Sequence, residues 1–145
     1  MNRVQKSVLL AYSAHEMYSL VIDVERYPEF LPWCARAEVL ERRDDGMTAR
    51  LHLAYAGLRH AFTTRNAHVT DSTVTITLVD GPFSLLDGTW RFKPLTEQAC
   101  KIEFDLRYAF AGAALEAVLS PVFGRIANTF VDAFVKRAEQ VHGAR

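Results

Sequence analysis

Polar and apolar positions change their period twice along this chain. From Ala37 onward they alternate with a period of two. Met47, Ala49, Leu51, Leu53 and Tyr55 are separated by Thr48, Arg50, His52 and Ala54, and Val74, Ile76 and Leu78 are separated by threonines. Trp90 and Phe92 alternate with Thr89, Arg91 and Lys93. The longest run is Cys100, Ile102, Phe104, Leu106, Tyr108 and Phe110, interleaved with Lys101, Glu103, Asp105 and Arg107. Such alternation gives each strand one dry and one wet face. Leu53, Trp90, Phe104 and Tyr108 are therefore expected to face a core, and the four interleaved charges to face water. Turn residues separate the runs at Asp44-Asp45-Gly46, Ala56-Gly57, Asp71-Ser72, Asp80-Gly81-Pro82, Asp87-Gly88 and Thr96-Glu97-Gln98. These connections are too short for parallel crossovers, so the pattern predicts an antiparallel meander of about six strands.

The two flanks read differently. Arg3 to Ala11 is predicted as an opening strand. Ser13 with Glu16 three residues later forms a capping box, Tyr12 and Met17 occupy the positions of a hydrophobic staple, and Met17, Leu20, Val21 and Val24 recur at helical spacing. That helix is expected to break near Arg26-Tyr27-Pro28, because the residue before proline avoids the α region. Tyr27 to Trp33 then forms a knuckle with three aromatics between two prolines. Beyond Gly112, Leu115, Val118, Leu119, Val122, Phe123, Ile126, Phe130, Phe134, Ala138 and Val141 form a helical stripe. Ser120-Pro121 either starts the long helix, as N-cap and first helical residue, or kinks it. Both readings set Gly112 to Leu119 at an angle to a final helix of some twenty residues. The order strand, two helical pieces, six strands and a long helix predicts an α+β fold in which that helix covers the apolar sheet face. At 145 residues the chain is expected to be one domain, 1–145.

Composition narrows the function classes. Half the residues are hydrophobic, nine are Phe, and seventeen basic residues balance seventeen acidic ones. Binding to naked nucleic acid usually draws on a basic excess, which is missing. Cys34 and Cys100 form no Cys-x-x-Cys pair and read as buried thiols of a reducing compartment. The N-terminus has no apolar signal core and no apolar run approaches ~18 residues, so a cytoplasmic location is expected. The five histidines are scattered, without the convergence that zinc requires, and no serine elbow or phosphate loop occurs. Neither metal nor nucleotide cofactor is expected. Glu103 and Asp105 read as cross-strand partners for nearby cations. A lone pocket Asp or Arg would be the remaining route to a cyclisation reaction.

Two features stand out. The aromatic knuckle is either a cap packed on the core or a ligand wall. Gly124 and Ala127 give the last helix a small facet, which serves either close approach to the sheet or room for a ligand; a mid-helix glycine costs ~1 kcal/mol against alanine.

The run Tyr12 to Cys34, with its Tyr27-Pro28-Glu29-Phe30-Leu31-Pro32-Trp33 segment, resembles the opening of the coenzyme Q-binding and ribosome-association-toxin family. That family lies in the START-like, polyketide cyclase-like superfamily. Phe62-Thr63-Thr64-Arg65-Asn66, Leu78-Val79-Asp80-Gly81-Pro82-Phe83 continuing to Leu95, and Ala127-Asn128 with Ala133 to Ala138 resemble it too. The resemblance spans essentially the whole chain. It implies a helix-grip (START-like, Bet v 1-like) fold, with a seven-stranded antiparallel sheet around a long C-terminal helix and two short helices after the first strand. It implies binding of a polyisoprenoid quinone (ubiquinone) or related lipid in support of respiration, with no catalytic residues. It also implies a second role, blocking ribosomal subunit association through the large subunit. Eukaryotic members carry a targeting extension that this chain does not show, so a bacterial member is implied, with transient contact at the inner membrane surface. On this reading the ligand-binding residues are Tyr27, Phe30, Leu31 and Trp33 of the knuckle, Leu53, Phe83, Trp90 and Phe104 of the sheet, and Val118, Val122, Phe123, Gly124 and Ile126 of the helix.

Overall fold

The first strand of the chain, β1 (Asn2–Leu10), is hydrogen-bonded to the last, β7 (Ala99–Phe110), with Val8 opposite Ile102. This pairing fixes one edge of a seven-stranded antiparallel sheet of order β1-β7-β6-β5-β4-β3-β2 in the computed structural model, which describes Met1–Arg145. The other strands are β2 (Cys34–Arg43), β3 (Gly46–Tyr55), β4 (Leu58–Val69), β5 (Thr73–Asp80) and β6 (Phe83–Thr96). From β2 to β7 every strand pairs with its neighbour in sequence, as short turns require. The expected wet and dry faces hold. Leu53, Trp90, Phe104 and Tyr108 are buried. On the outer face Asp105 pairs with Arg3 at 2.8 Å, Arg107 with Asp87 at 2.7 Å, and Glu103 with Lys93.

Asp87-Gly88 is not a turn but the middle of β6, paired with Arg107 and Leu106. A Cβ on Gly88 would lie 3.3 Å from Leu106 Cδ1 and 3.5 Å from Ile76 Cδ1. The glycine therefore lets side chains of the two flanking strands close over β6.

After β1 comes α1 (Ala14–Ile22), opened by the expected capping box. The Glu16 backbone N–H donates to Ser13 Oγ at 3.0 Å, and the Ser13 N–H donates to Glu16 Oε1 at 2.9 Å. The α-helix ends at Ile22, four residues before Arg26, and the chain tightens into a 3₁₀ helix, Val24–Glu29, that accommodates Pro28.

The last helix, α2 (Ala113–His142), has 30 residues and runs unbroken through Pro121. Ser120 is therefore not its N-cap; Gly112 stands there instead. Ala113, Ala114, Leu115, Ala117 and Leu119 are good helix formers, and Leu119 is buried, so the first turns form at the expense of the hydrogen bond that Pro121 cannot donate. By length and composition α2 is also apolar enough to cross a membrane. Here Leu119, Phe123, Ile126, Ala127, Val131, Phe134 and Ala138 are buried within the protein core.

Alternating strand directions put the β3–β4 and β5–β6 turns, the start of β2 and the start of α2 at one end of the sheet. The other end carries α1 and residues 143–145: Tyr12 Oη donates to the Gly143 carbonyl at 2.7 Å, and Tyr18 packs edge-on against His68 and Phe92.

Candidate ligand-binding cavity

Between the sheet and α2 lies a cavity with about 70 Å³ open to the centre of a water-sized sphere. Strand alternation supplies most of its wall. Ala49 and Leu51 come from β3, Phe62, Thr64 and Asn66 from β4, and Ile76, Leu86, Phe104 and Leu106 from the next three strands. The helix adds Phe123, Ile126, Ala127 and Phe130, spaced 0, 3, 4 and 7 so that all fall on one face. Val24, Tyr27 and Trp33 close it from the segment before β2. Fourteen of the sixteen lining residues are hydrophobic. None carries a carboxylate, imidazole, ammonium or guanidinium group.

The knuckle is both cap and wall. Tyr27 lines the cavity with its ring, while its hydroxyl donates to the Val21 carbonyl at 2.5 Å, and full burial pushes the phenol far above its ordinary pKa. Its ring also meets Phe134 at 5.4 Å. Phe30 turns the other way. It packs on Phe134 at 5.1 Å, lies beneath the Arg137 guanidinium, and borders an outer cleft with Leu20, Asp23 and Arg26. Leu31 borders a groove of about 190 Å³ on the outside, with Pro32, Tyr55, Arg125, Thr129 and Ala133. Trp33, Ile126 and Phe130 line both that groove and the cavity, and so form the wall between them. Arg125 Nη1 donates to Tyr55 Oη at 3.3 Å across the groove.

Of the residues expected from sequence, Tyr27, Trp33, Phe104, Phe123 and Ile126 line the cavity. Others lie behind this lining. Trp90 is wholly buried, 4.6 Å from Phe104 and 5.6 Å from Phe130. Phe83 is held among Phe62, Phe110 and Phe123 at 5.0–5.6 Å. Leu53 is buried in register with Cys34 and His60. The helix residues divide. Val118 is 50% exposed, because one position separates it from buried Leu119 and turns it ~100° away. Val122 is half-buried outside the lining. Gly124 faces Tyr108, whose Oη is the only atom a new Cβ would meet, at 3.8 Å. Of the small facet, Ala127 alone reaches the cavity. Thr64 and Asn66 also line the cavity, and their signal in the sequence is their parity with Phe62 on β4. Phe130 lines it too, four residues beyond Ile126.

Cys34 and Cys100 are buried and free, outside the lining, and burial pushes each thiol up to about 11. His68 is held below its ordinary value, chiefly by burial and then by Arg43.

A family described as polyketide cyclase / dehydrase and lipid transport matches residues 10–135. The chain is 48% identical over 140 residues to a ribosome association toxin of Pseudomonas aeruginosa, covering 97% of both chains. It is 30% identical over 142 residues to the mitochondrial coenzyme Q-binding protein of Drosophila melanogaster, covering 95% of this chain and 59% of that one. Among solved structures, the Zhui aromatase/cyclase of a Streptomyces species superposes with a TM-score of 0.84 at 19% identity, over 96% of this chain and 94% of that one. At that identity the likeness is one of fold.

Proposed function

This chain belongs to the polyketide cyclase / dehydrase and lipid transport family, in the START-like branch of the ribosome association toxins and coenzyme Q-binding proteins, and from that premise we propose that it binds a polyisoprenoid quinone or related lipid without chemical turnover. The observation that carries the proposal is the cavity wall, fourteen of sixteen residues apolar. Apolar burial contributes roughly 25 cal/mol per Å², so a ring-sized head covering ~200 Å² gains about 5 kcal/mol. A longer prenyl chain runs into the outer groove once Trp33 or Phe130 turns aside. The lining has no acid–base pair, and the one phenol, Tyr27, is engaged with Val21, which supports binding over catalysis. A lipid of this kind is collected at a membrane surface.

Mass spectrometry of lipids extracted from the purified protein tests this. A near-stoichiometric quinone or prenyl lipid is expected. An empty extract, together with no quenching of tryptophan fluorescence by a short-chain quinone, would remove the reading.

A second reading rests on a different observation, the 48% identity along almost the whole chain to a ribosome association toxin. On it, the protein binds the large ribosomal subunit and blocks subunit joining. Added protein should then lower the assembled-ribosome fraction in a sucrose gradient, less so at high salt. Assembled ribosomes that persist at stoichiometric excess would end that reading.

A further inference from the structure

Two polar side chains stand in the cavity wall, neighbours on one face of β4. Thr64 is 5% exposed and Asn66 8%. Thr63 and Arg65 point to the other face, where Arg50 Nε donates to Thr63 Oγ1 at 3.1 Å and Arg65 is exposed. Thr64 Oγ1 donates to Asn66 Oδ1 at 2.9 Å, which uses the carbonyl half of the amide. Asn66 Nδ2 donates to nothing in the protein. Its register neighbours are Met47 and Ile76, and those of Thr64 are Ala49 and Leu78. None of these four side chains offers an acceptor oxygen or nitrogen. If the amide is turned over, Asn66 Nδ2 donates to Thr64 Oγ1 and the hydroxyl hydrogen is released instead. In both arrangements the pair keeps one donor free beside the cavity. The wall around the pair is otherwise apolar, so packing alone gives no reason for an amide and a hydroxyl at this point.

We infer that Thr64 and Asn66 form a seat for an acceptor oxygen of the ligand, so that the ligand class is an apolar molecule with a carbonyl or quinone-type oxygen on a ring-sized head, and not a plain hydrocarbon chain. This rests on the reading that the cavity takes an apolar ligand, and it specifies which end lies innermost. The pair stands six and eight residues along β4 from Leu58, roughly 20–26 Å from the end of the sheet where β4 begins. The oxygen-bearing head sits there, level with Met47 and Ile76, with the apolar remainder toward the end of the sheet where β4 begins.

The test compares a decyl-substituted benzoquinone with decylbenzene, followed by tryptophan fluorescence, on the wild type, Asn66→Leu and Thr64→Val. The wild type is expected to prefer the quinone by about tenfold, the worth of one well-made hydrogen bond. Asn66→Leu is expected to bind decylbenzene at least as well and to lose the preference. Thr64→Val, which keeps shape and drops the hydroxyl, is expected to shrink the preference less. Equal binding of both probes by the wild type would overturn the seat, leave the cavity reading standing, and mean that the amide is served by water. A quinone preference unchanged in both variants would overturn it as well. If the wild type takes neither probe, the cavity reading falls and the seat falls with it.

Discussion

Arg145 donates from Nη1 to Glu16 Oε1 at 2.8 Å, tying residue 145 to the first turn of α1 across 129 positions of sequence. The same guanidinium lies over the Tyr12 ring, whose hydroxyl holds the Gly143 carbonyl. Arg145, and next the Ser13 backbone N–H, draw the Glu16 carboxyl down to about 2. A depressed carboxylate stabilises the fold above its unfolded pKa and loses that contribution as pH falls toward the folded value. Glu16→Gln should therefore be less stable than wild type at neutral pH by about 1–2 kcal/mol, after allowing for solvent screening. The gap should close between pH ~4.5 and 2. Melting curves of the two proteins across that range check it.

Gly124→Ala should stabilise the protein by about 1 kcal/mol. The gain is helix propensity, since the new methyl meets only Tyr108 Oη at an ordinary 3.8 Å. Ligand affinity should stay unchanged, because Gly124 is outside the lining. Chemical denaturation with a parallel binding titration checks both halves.

The two thiols should be silent in the folded protein. Each is buried with its pKa pushed up to about 11, so little thiolate forms at pH 8. Ellman's reagent should report no free thiol until denaturant is added, and two afterwards.

Phe130→Ala should join the cavity to the outer groove, since Phe130 stands in the wall between them. The expected cost is about 2–4 kcal/mol, below that of a fully buried Phe because this one is half-buried. An apolar fluorescent probe should enter faster than in the wild type, which stopped-flow mixing would show.

Much of this architecture is written in the period of the sequence. The run Cys100–Phe110 alternates without a break and becomes β7 with all six apolar members buried. Ser13 and Glu16 marked the start of α1, where the capping bonds form. Two misreadings have one origin, a local signal overruled by packing. Asp-Gly usually turns a chain, yet Gly88 lies in mid-strand because Leu106 and Ile76 need its missing side chain. Ser120-Pro121 has the form of a helix start, yet α2 has already begun at Ala113, and Leu119 before the proline and Phe123 after it are both buried. The cavity was less legible than the core. Alternation says which face is dry, not which dry residue borders empty space. Trp90 and Phe104 are register partners on the same face, yet only Phe104 lines the cavity. Thr64 and Asn66 are polar residues on a dry face, where an apolar pattern gives no sign of them.

The pairing of β1 with β7 sets an order of events during synthesis. Strands β3 to β7 each dock on the strand made just before, so a growing chain can add them one at a time. β1 is made first and has nowhere to go until β7 appears. At roughly 5–20 residues per second, it waits several seconds beside the ribosome with its backbone groups unpaired. During that interval Leu10 and Val8 lack the cover of β7 and Cys100 and Ile102 do not yet exist. A newborn chain of this protein is therefore most open to strand-to-strand association, and to capture by chaperones, just before its last strand is complete.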